Sequence, residues 1–357
     1  MSAAISLRMH GVDVDLIDID PQWRALGAGM TITGPTLRAF DSLGVLDAVR
    51  EKGYISDRTK FFSADGTLQG EMLPPPIDKD LPVAGGILRP DLHGILSKKV
   101  MELGTNVRLG ITITDLSQDA SGVTATFSTG ETGRYDAVIG ADGFNSVVRG
   151  FVRPDAPRPR FTGQGCWRLL APRPEAVTSP EIYFGSDYKV GVNPCSPDQM
   201  YLFANVKMPG NPHIPDDELL PRMRELLAPL AGTIRTVHDG LSEDSAINYR
   251  PLEALLVPLP WHAGRIGLIG DAVHATTPHL ASGAGLSVED GLLIGEMLAD
   301  AEDVESALAA FGERRWQRSK VVVENSVKIG DLEQAGGNDA RVAQIMGESI
   351  VILARPI

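Results

Sequence analysis

The sequence predicts an α/β protein in which a parallel sheet of the nucleotide-binding kind is interrupted by a mixed sheet and followed by helices. Three observations predict it. Two apolar strands, around Tyr135–Ile139 and Arg265–Ile269, each run into a Gly/Asp turn, Gly140-Ala-Asp142-Gly143 and Gly270-Asp271, followed by a helical pattern. Between them, residues 161–207 alternate in the period-two manner of half-buried strands. After the second turn, apolar residues recur at helical spacing.

The second turn is the more informative. Ile266, Leu268 and Ile269 form a short apolar strand, Gly270 lets the backbone turn sharply, and Asp271 is an acceptor for a sugar hydroxyl at the strand's carboxyl end, where open α/β sheets bind ligands. Pro278 stiffens the loop. From Gly283 a helix begins, with Leu286, Leu293 and Met297 on one face. The unpaired N–H groups near Gly283, Ala284 and Gly285 point back over the loop and favour negative charge. One such segment alone reads equally well as turn and cap chemistry. Two in this order point to a nucleotide cofactor.

The elements upstream follow in order. Met1–His10 reads as a helix ended by Gly11, then Val12–Ile17 as a strand closing on Asp18. A glycine-bearing loop at 21–30 precedes a helix near Pro35–Leu43. The Asp65-Gly66 pair marks a hairpin, prolines 74–76 break the chain, and a helix starts at Arg89. Val107–Asp115 and Gly122–Ser128 are further strands. Beyond the proline-rich crossing at 154–159, strands are expected over Phe161–Leu170, Glu181–Phe184, Lys189–Val192 and Met200–Lys207, then a helix over Asp216–Leu230. Val304–Ser326 is a late helix whose Arg314, Arg315, Arg318 and Lys320 read as a solvated face.

Composition narrows the function classes. With 357 residues, 43% hydrophobic and 22% charged, the chain suits a composite of two joined globular domains. A net charge of −13 disfavours nucleic acid or anionic membrane as the main partner. Cys166 and Cys195 are the only cysteines, with no C-x-x-C or Cys/His cluster, so no metal site is expected. The absence of a leader pattern and of a roughly 20-residue apolar run points to a cytoplasmic protein without an integral membrane segment.

Taken with Leu88-Arg-Pro-Asp-Leu-His-Gly-Ile-Leu96, the Asp142-Gly143 and Gly270-Asp271 segments and Pro278 resemble the flavin-dependent aromatic hydroxylases of the para-hydroxybenzoate hydroxylase type. The resemblance implies an FAD-binding, Rossmann-like domain of the glutathione-reductase type, with an inserted mixed-sheet substrate domain and C-terminal helices. It divides the chain into 1–60, 86–160 and 259–300 for FAD, 61–85 and 161–258 for substrate, and 301–357 as a helical region. It also implies site roles. Asp18 meets the adenosine ribose, Arg89 the ribityl and phosphate side, and Asp142 and Gly143 a motif shared by flavin and nicotinamide cofactor. Gly270 and Asp271 meet the ribityl chain, and Gly283, Ala284 and Gly285 the pyrimidine edge. Pro278 lines the flavin face where oxygen is activated, and Arg168 faces the substrate pocket or the nicotinamide.

The activity implied is NAD(P)H-consuming hydroxylation of a small aromatic or heteroaromatic substrate by molecular oxygen, through a flavin hydroperoxide, in a monomer or homodimer. No second Gly-rich βαβ unit is present, so NADPH or NADH is expected to bind transiently. Tyr183, Tyr188 and Tyr249 are candidate partners for a phenol; His274 and His279 read as packed or loop-capping. The chain departs from the family where a first strand and G-x-G-x-x-G turn are expected, which reads as an N-terminal truncation with weakened flavin binding. A flavin-binding remnant without activity is the alternative.

Overall fold

The computed structural model describes residues 1–25, 27–186, 188–336 and 339–357. The first helix, Ser2–Met9, buries Ala4 and Ile5 and ends at His10, with Gly11 following at φ +79°. It lies against the long helix Gly283–Ala299 at two glycines one turn apart. A Cβ at Gly291 would stand 2.6 Å from the Ala3 nitrogen, and one at Gly295 2.3 Å from Ser6 Oγ, so only glycine permits this approach. Ser6 Oγ donates to the Leu292 carbonyl at 2.8 Å across the same contact.

Parallel pairing joins Asp15–Asp18 to Asn106–Leu109, and Val138–Gly140 to Ile266–Leu268. The strand expected at Val12–Ile17 thus starts later, and the stretch expected as one strand over Val107–Asp115 divides at Gly110, whose φ is +73°. Gly29–Thr33, Tyr54–Ser56 and Ala84–Leu88 form a three-stranded antiparallel sheet, and the last runs directly into the helix Arg89–Glu102. Pro90 in the first helical turn costs no hydrogen bond there.

The mixed sheet has seven strands. In spatial order they are Asn248–Ala254, Arg160–Pro172, Gln199–Lys207, Lys189–Pro194, Glu181–Phe184, Thr59–Ser63 and Leu68–Met72. Its two faces differ because side chains alternate along each strand. Trp167, Leu169, Val190, Val192, Leu202 and Ala204 face an apolar core shared with Met223 and Leu227 of the helix Asp216–Leu227 and with Ile234 of Gly232–Asp239, a helix the periodicity did not predict. The intervening residues Cys166, Arg168, Tyr201, Phe203, Asn205, Lys189 and Asn193 occupy the other face.

That second face meets the three-stranded sheet. Asn193 Nδ2 donates to Thr31 Oγ1 at 2.9 Å, and a Cβ on Gly86 would stand 2.2 Å from the Pro194 carbonyl oxygen. The late helix runs further than its expected end at Ser326, over Val304–Gln334, and the chain closes with the helix Asp339–Ala354.

Candidate active site

The chain from Gly270 to Gly285 links the strand Ile266–Leu268 to the helix Gly283–Ala299. Gly270 adopts φ +63°, ψ −142°, and a Cβ there would meet Ser287 Oγ at 2.9 Å. Asp271 follows, its side chain open to solvent. The protein packed around it raises its carboxyl above the usual range, while His274 and Arg89 pull it down. The nearby Asp290 carboxylate adds to the upward shift.

Pro278 opens a short 3₁₀ turn, and Ala281 in the left-handed region, φ 49°, redirects the chain into the Gly283–Ala299 helix. The N–H groups of Gly283, Ala284 and Gly285 precede any carbonyl that the helix offers them. A Cβ at Gly283 would meet Thr276 Cγ2 at 2.9 Å and one at Gly285 Thr36 Oγ1 at 2.2 Å. The helix start is therefore held against the loop behind it.

Arg89 begins its helix beside Gly27, where a Cβ would come within 3.0 Å of Arg89 Cδ. It lies close enough to Asp271 and Tyr201 to act electrostatically on both. Asp18 ends its strand with its carboxylate accepting from the Asp20 N–H at 2.8 Å, and it acts on His93, one turn beyond Arg89. Asp142 is used differently. Its carboxylate accepts from Ser146 Oγ and from the N–H groups of Val147 and Val148 at 2.7 and 3.0 Å, capping the helix Val148–Val152. Gly143, at φ +77°, leaves open space above it. Arg149 ties the two Gly/Asp turns together, donating to the Phe144 and Ala272 carbonyls, both at 3.0 Å.

Opposite the loop stands the polar face of the mixed sheet. Arg168 Nε donates to the Tyr201 hydroxyl at 2.9 Å. Burial pushes the Tyr201 phenol up to about 12, so it stays protonated, and with a lone pair taken by Arg168 its own proton is free to be donated. Gln164 Oε1, Asn193 Oδ1 and Asn205 Oδ1 are buried without a hydrogen-bond partner among the described residues. Tyr201 was not among the expected residues; the strand alternation that places Arg168 on this face is the signal that finds it. The expected phenol partners lie elsewhere: Tyr183 and Tyr249 pack on the apolar face, and the Tyr188 hydroxyl donates to the Leu226 carbonyl. At the edge of the same face Lys189 pairs with Glu333, which stands 3.3 Å from His279 Nε2.

The basic run in the late helix is the clearest correction. Arg315 and Arg318 are buried, not solvated, and pair with Glu289 and Asp290 of the neighbouring helix. His274 is likewise packed, its Nε2 2.6 Å from Asp290 Oδ2. A separate cleft of about 630 Å³, bounded by Ser56, Arg58, Leu81 and Ser179, holds none of the expected site residues. Among the described residues no His/Cys/Asp/Glu cluster is placed to hold a metal ion, and no helix is long and apolar enough to cross a membrane.

A glycine-rich turn leading to a helix start with unpaired N–H groups, with an acidic side chain at its head and Arg89 nearby, suits a dinucleotide. The fold and this loop are those of a flavin-dependent oxidoreductase. The chain belongs to the family described as FAD binding domain, whose model matches residues 1–326, and its cofactor is FAD. It is 30% identical to the Bacillus subtilis protein YetM over 99% of this chain and 95% of that one. It is 29% identical to 2-heptyl-3-hydroxy-4(1H)-quinolone synthase of Pseudomonas aeruginosa, over 91% and 84% of the two chains. In three dimensions it resembles Klebsiella pneumoniae HpxO complexed with FAD and uric acid, with a TM-score of 0.87, 23% identity and coverage of 99% and 94%.

Proposed function

We propose that this FAD-dependent monooxygenase hydroxylates a small, polar heteroaromatic substrate held between the flavin loop and the Arg168–Tyr201 face of the mixed sheet. The observation that carries this reading is the two-faced sheet. One face is sealed by helices, while the other carries the half-buried Arg168, the protonated Tyr201 phenol, and Asn193 and Asn205, each with an unpartnered amide oxygen. Such groups favour a ring bearing carbonyl and N–H functions, because each unpartnered buried atom gains a partner on binding. The printed names of the relatives, which include a quinolone synthase and FAD-dependent urate hydroxylases, support that substrate class.

The proposed roles are these. Residues 1–60, 86–160 and 259–300 form the FAD domain, 61–85 and 161–258 the substrate domain, and 301–357 the helical region. Bound FAD, reduced by NADPH or NADH, supplies the oxygen activation. Asp271 and Arg89 hold the ribityl and phosphate side, the N–H groups of Gly283, Ala284 and Gly285 meet the pyrimidine edge, and Asp18 meets the adenosine ribose. Pro278 keeps the loop rigid beside the reacting face. Arg168 orients the substrate's oxygen functions and Tyr201 donates a proton-bearing contact to them. Gly143 leaves backbone space for the nicotinamide, with Asp142 holding that turn in shape.

Reconstitution with FAD tests this. NAD(P)H oxidation should accelerate with one member of a panel of hydroxylated or oxo-substituted heteroaromatics, and one atom of labelled oxygen should enter the product. A fully flavinated protein that no panel member stimulates would refute the substrate reading.

A further inference from the structure

The Gly270–His274 turn rests on a buried ionic relay that reaches the last residues of the chain. The Gly270 N–H donates to Asp290 Oδ2 at 2.9 Å, and His274 Nε2 meets the same oxygen at 2.6 Å. Asp290 Oδ1 accepts from Arg315 Nε at 2.6 Å, and Arg315 reaches Glu289 Oε2 at 2.9 Å. Arg318 clasps Glu289 with two bonds, of 2.6 and 2.7 Å. It ends on the carbonyl of Leu353 at 2.7 Å, with weaker bonds to Ile352 and Arg355. Arg38 donates to the carbonyls of Ala354 and Arg355 at 3.0 and 2.7 Å, so the chain end is held from two sides.

Stability alone does not account for this arrangement. The side chains of His274 and Asp290 are 0% exposed, those of Arg315 and Glu289 1% and 2%, and that of Arg318 8%. Two carboxylates and two guanidinium groups buried together cost much of what their attraction returns, and well-packed apolar residues would serve the core as well. What the ionic set adds is direction, since each bond fixes an angle as well as a distance. Of its backbone contacts, one goes to Gly270, at the point where the chain takes a conformation open only to glycine. Another, long at 3.4 Å, runs from Arg315 to the Leu286 carbonyl, and those of Arg318 go to the carbonyls of Ile352, Leu353 and Arg355 at the end of the chain.

We propose that Asp290 is a positioning residue for the flavin loop, and that Arg315, Glu289 and Arg318 extend its hold to the carbonyls of residues 352–355. Docking of the terminal helix and the geometry of the Gly270–His274 turn then form one coupled unit. The function assigned to the unit rests on the reading that this turn holds FAD.

The test uses the full chain and the variants Asp290→Asn, Arg318→Lys and their combination. Two readouts are taken: amide exchange of residues 270–274 without flavin, and FAD affinity from flavin fluorescence. Leu202→Ala, in the apolar core of the mixed sheet, serves as a control for general destabilisation. Both single variants should speed exchange at 270–274 and weaken FAD binding about tenfold, and the double variant should be little worse than the more severe single one. Leu202→Ala should lower Tm with FAD affinity unchanged.

Exchange at 270–274 that stays at the wild-type rate in Arg318→Lys overturns the coupling, as do multiplicative effects in the double variant. So does an equal loss of FAD affinity in Leu202→Ala. Where Asp290→Asn does not fold, Arg318→Lys, which keeps the charge and one bond to Glu289, decides on exchange alone. Faster exchange with FAD affinity unchanged both there and in Asp271→Ala would support the coupling and overturn the assignment of the loop to flavin.

Discussion

Arg168 and Tyr201 meet diagonally across neighbouring antiparallel strands: Arg168 pairs in register with Phe203, Leu170 with Tyr201, and the guanidinium reaches back to the phenol at 2.9 Å. The contact fixes the orientation of a long cationic side chain. It also leaves the phenol proton free for a ligand.

Removing that contact should separate substrate handling from flavin binding. Tyr201→Phe loses a hydrogen bond to a charged group, worth about 1.5 to 3 kcal/mol. Arg168→Ala loses the cation as well. Both variants should retain FAD, seen in the flavin absorbance, while kcat/KM for the substrate falls by about tenfold or more. Loss of flavin from either one would place this pair in the cofactor site instead.

Asp271→Ala should show the opposite pattern. With its carboxylate gone, FAD binding should weaken by about 1 to 3 kcal/mol, measured by fluorescence titration. Saturating FAD should restore most of the turnover. An unchanged FAD affinity would remove Asp271 from the cofactor site.

Two glycine substitutions should move stability in opposite directions. Gly86→Ala would drive a Cβ to 2.2 Å from the Pro194 carbonyl oxygen, backbone that has little room to yield, and should cost about 1 to 3 kcal/mol. Gly94 sits inside the Arg89–Glu102 helix with nothing within 4 Å of the same position, so Gly94→Ala should stabilise by about 0.5 to 1 kcal/mol. Denaturant unfolding compares the two with the parent; a stabilised Gly86→Ala would refute the contact between the sheets.

Glu333 should give acid sensitivity. Burial pushes its carboxyl up, but His279 and Lys189 outweigh burial and hold it at about 2 against an ordinary 4.5. A carboxyl depressed by folding contributes stability above its unfolded value that is lost as pH falls toward the folded one. That contribution, at most about 3 kcal/mol, should therefore disappear between about pH 4.5 and 2. Glu333→Gln should be less stable than the parent near pH 6, and the gap should close across that window in thermal unfolding. A gap independent of pH would show that the charge on Glu333 contributes nothing.

Much of the architecture was legible because it depends on local patterns. Period-two alternation marked the strands carrying Arg168 and Lys189, and the glycines at 270, 283 and 285 marked a loop that no other residue can form. The same alternation, followed from Arg168 to its neighbouring strand, points to Tyr201. It does not tell which face the helices seal, and for that reason Tyr183, Tyr188 and Tyr249 looked equally suited to a substrate. Asp142, expected as a cofactor contact, accepts three hydrogen bonds at the start of the helix Val148–Val152, since a carboxylate before a helix can serve as a cap.

The sequence by itself determined the α/β class, the order of the two Gly/Asp turns and the glycine-opened helix, because backbone sterics and hydrophobic period act over a few residues. Only the tertiary structure decided the fate of the charges. Arg315 and Arg318 lie on a helix whose spacing suits a solvated face, and they are buried because Glu289 and Asp290, some 25 to 29 residues earlier in the chain, meet them across a helix contact. A side chain's charge is written in the sequence. Whether it faces water or an opposite charge depends on which helix packs against it, and that is settled by contacts between residues far apart along the chain.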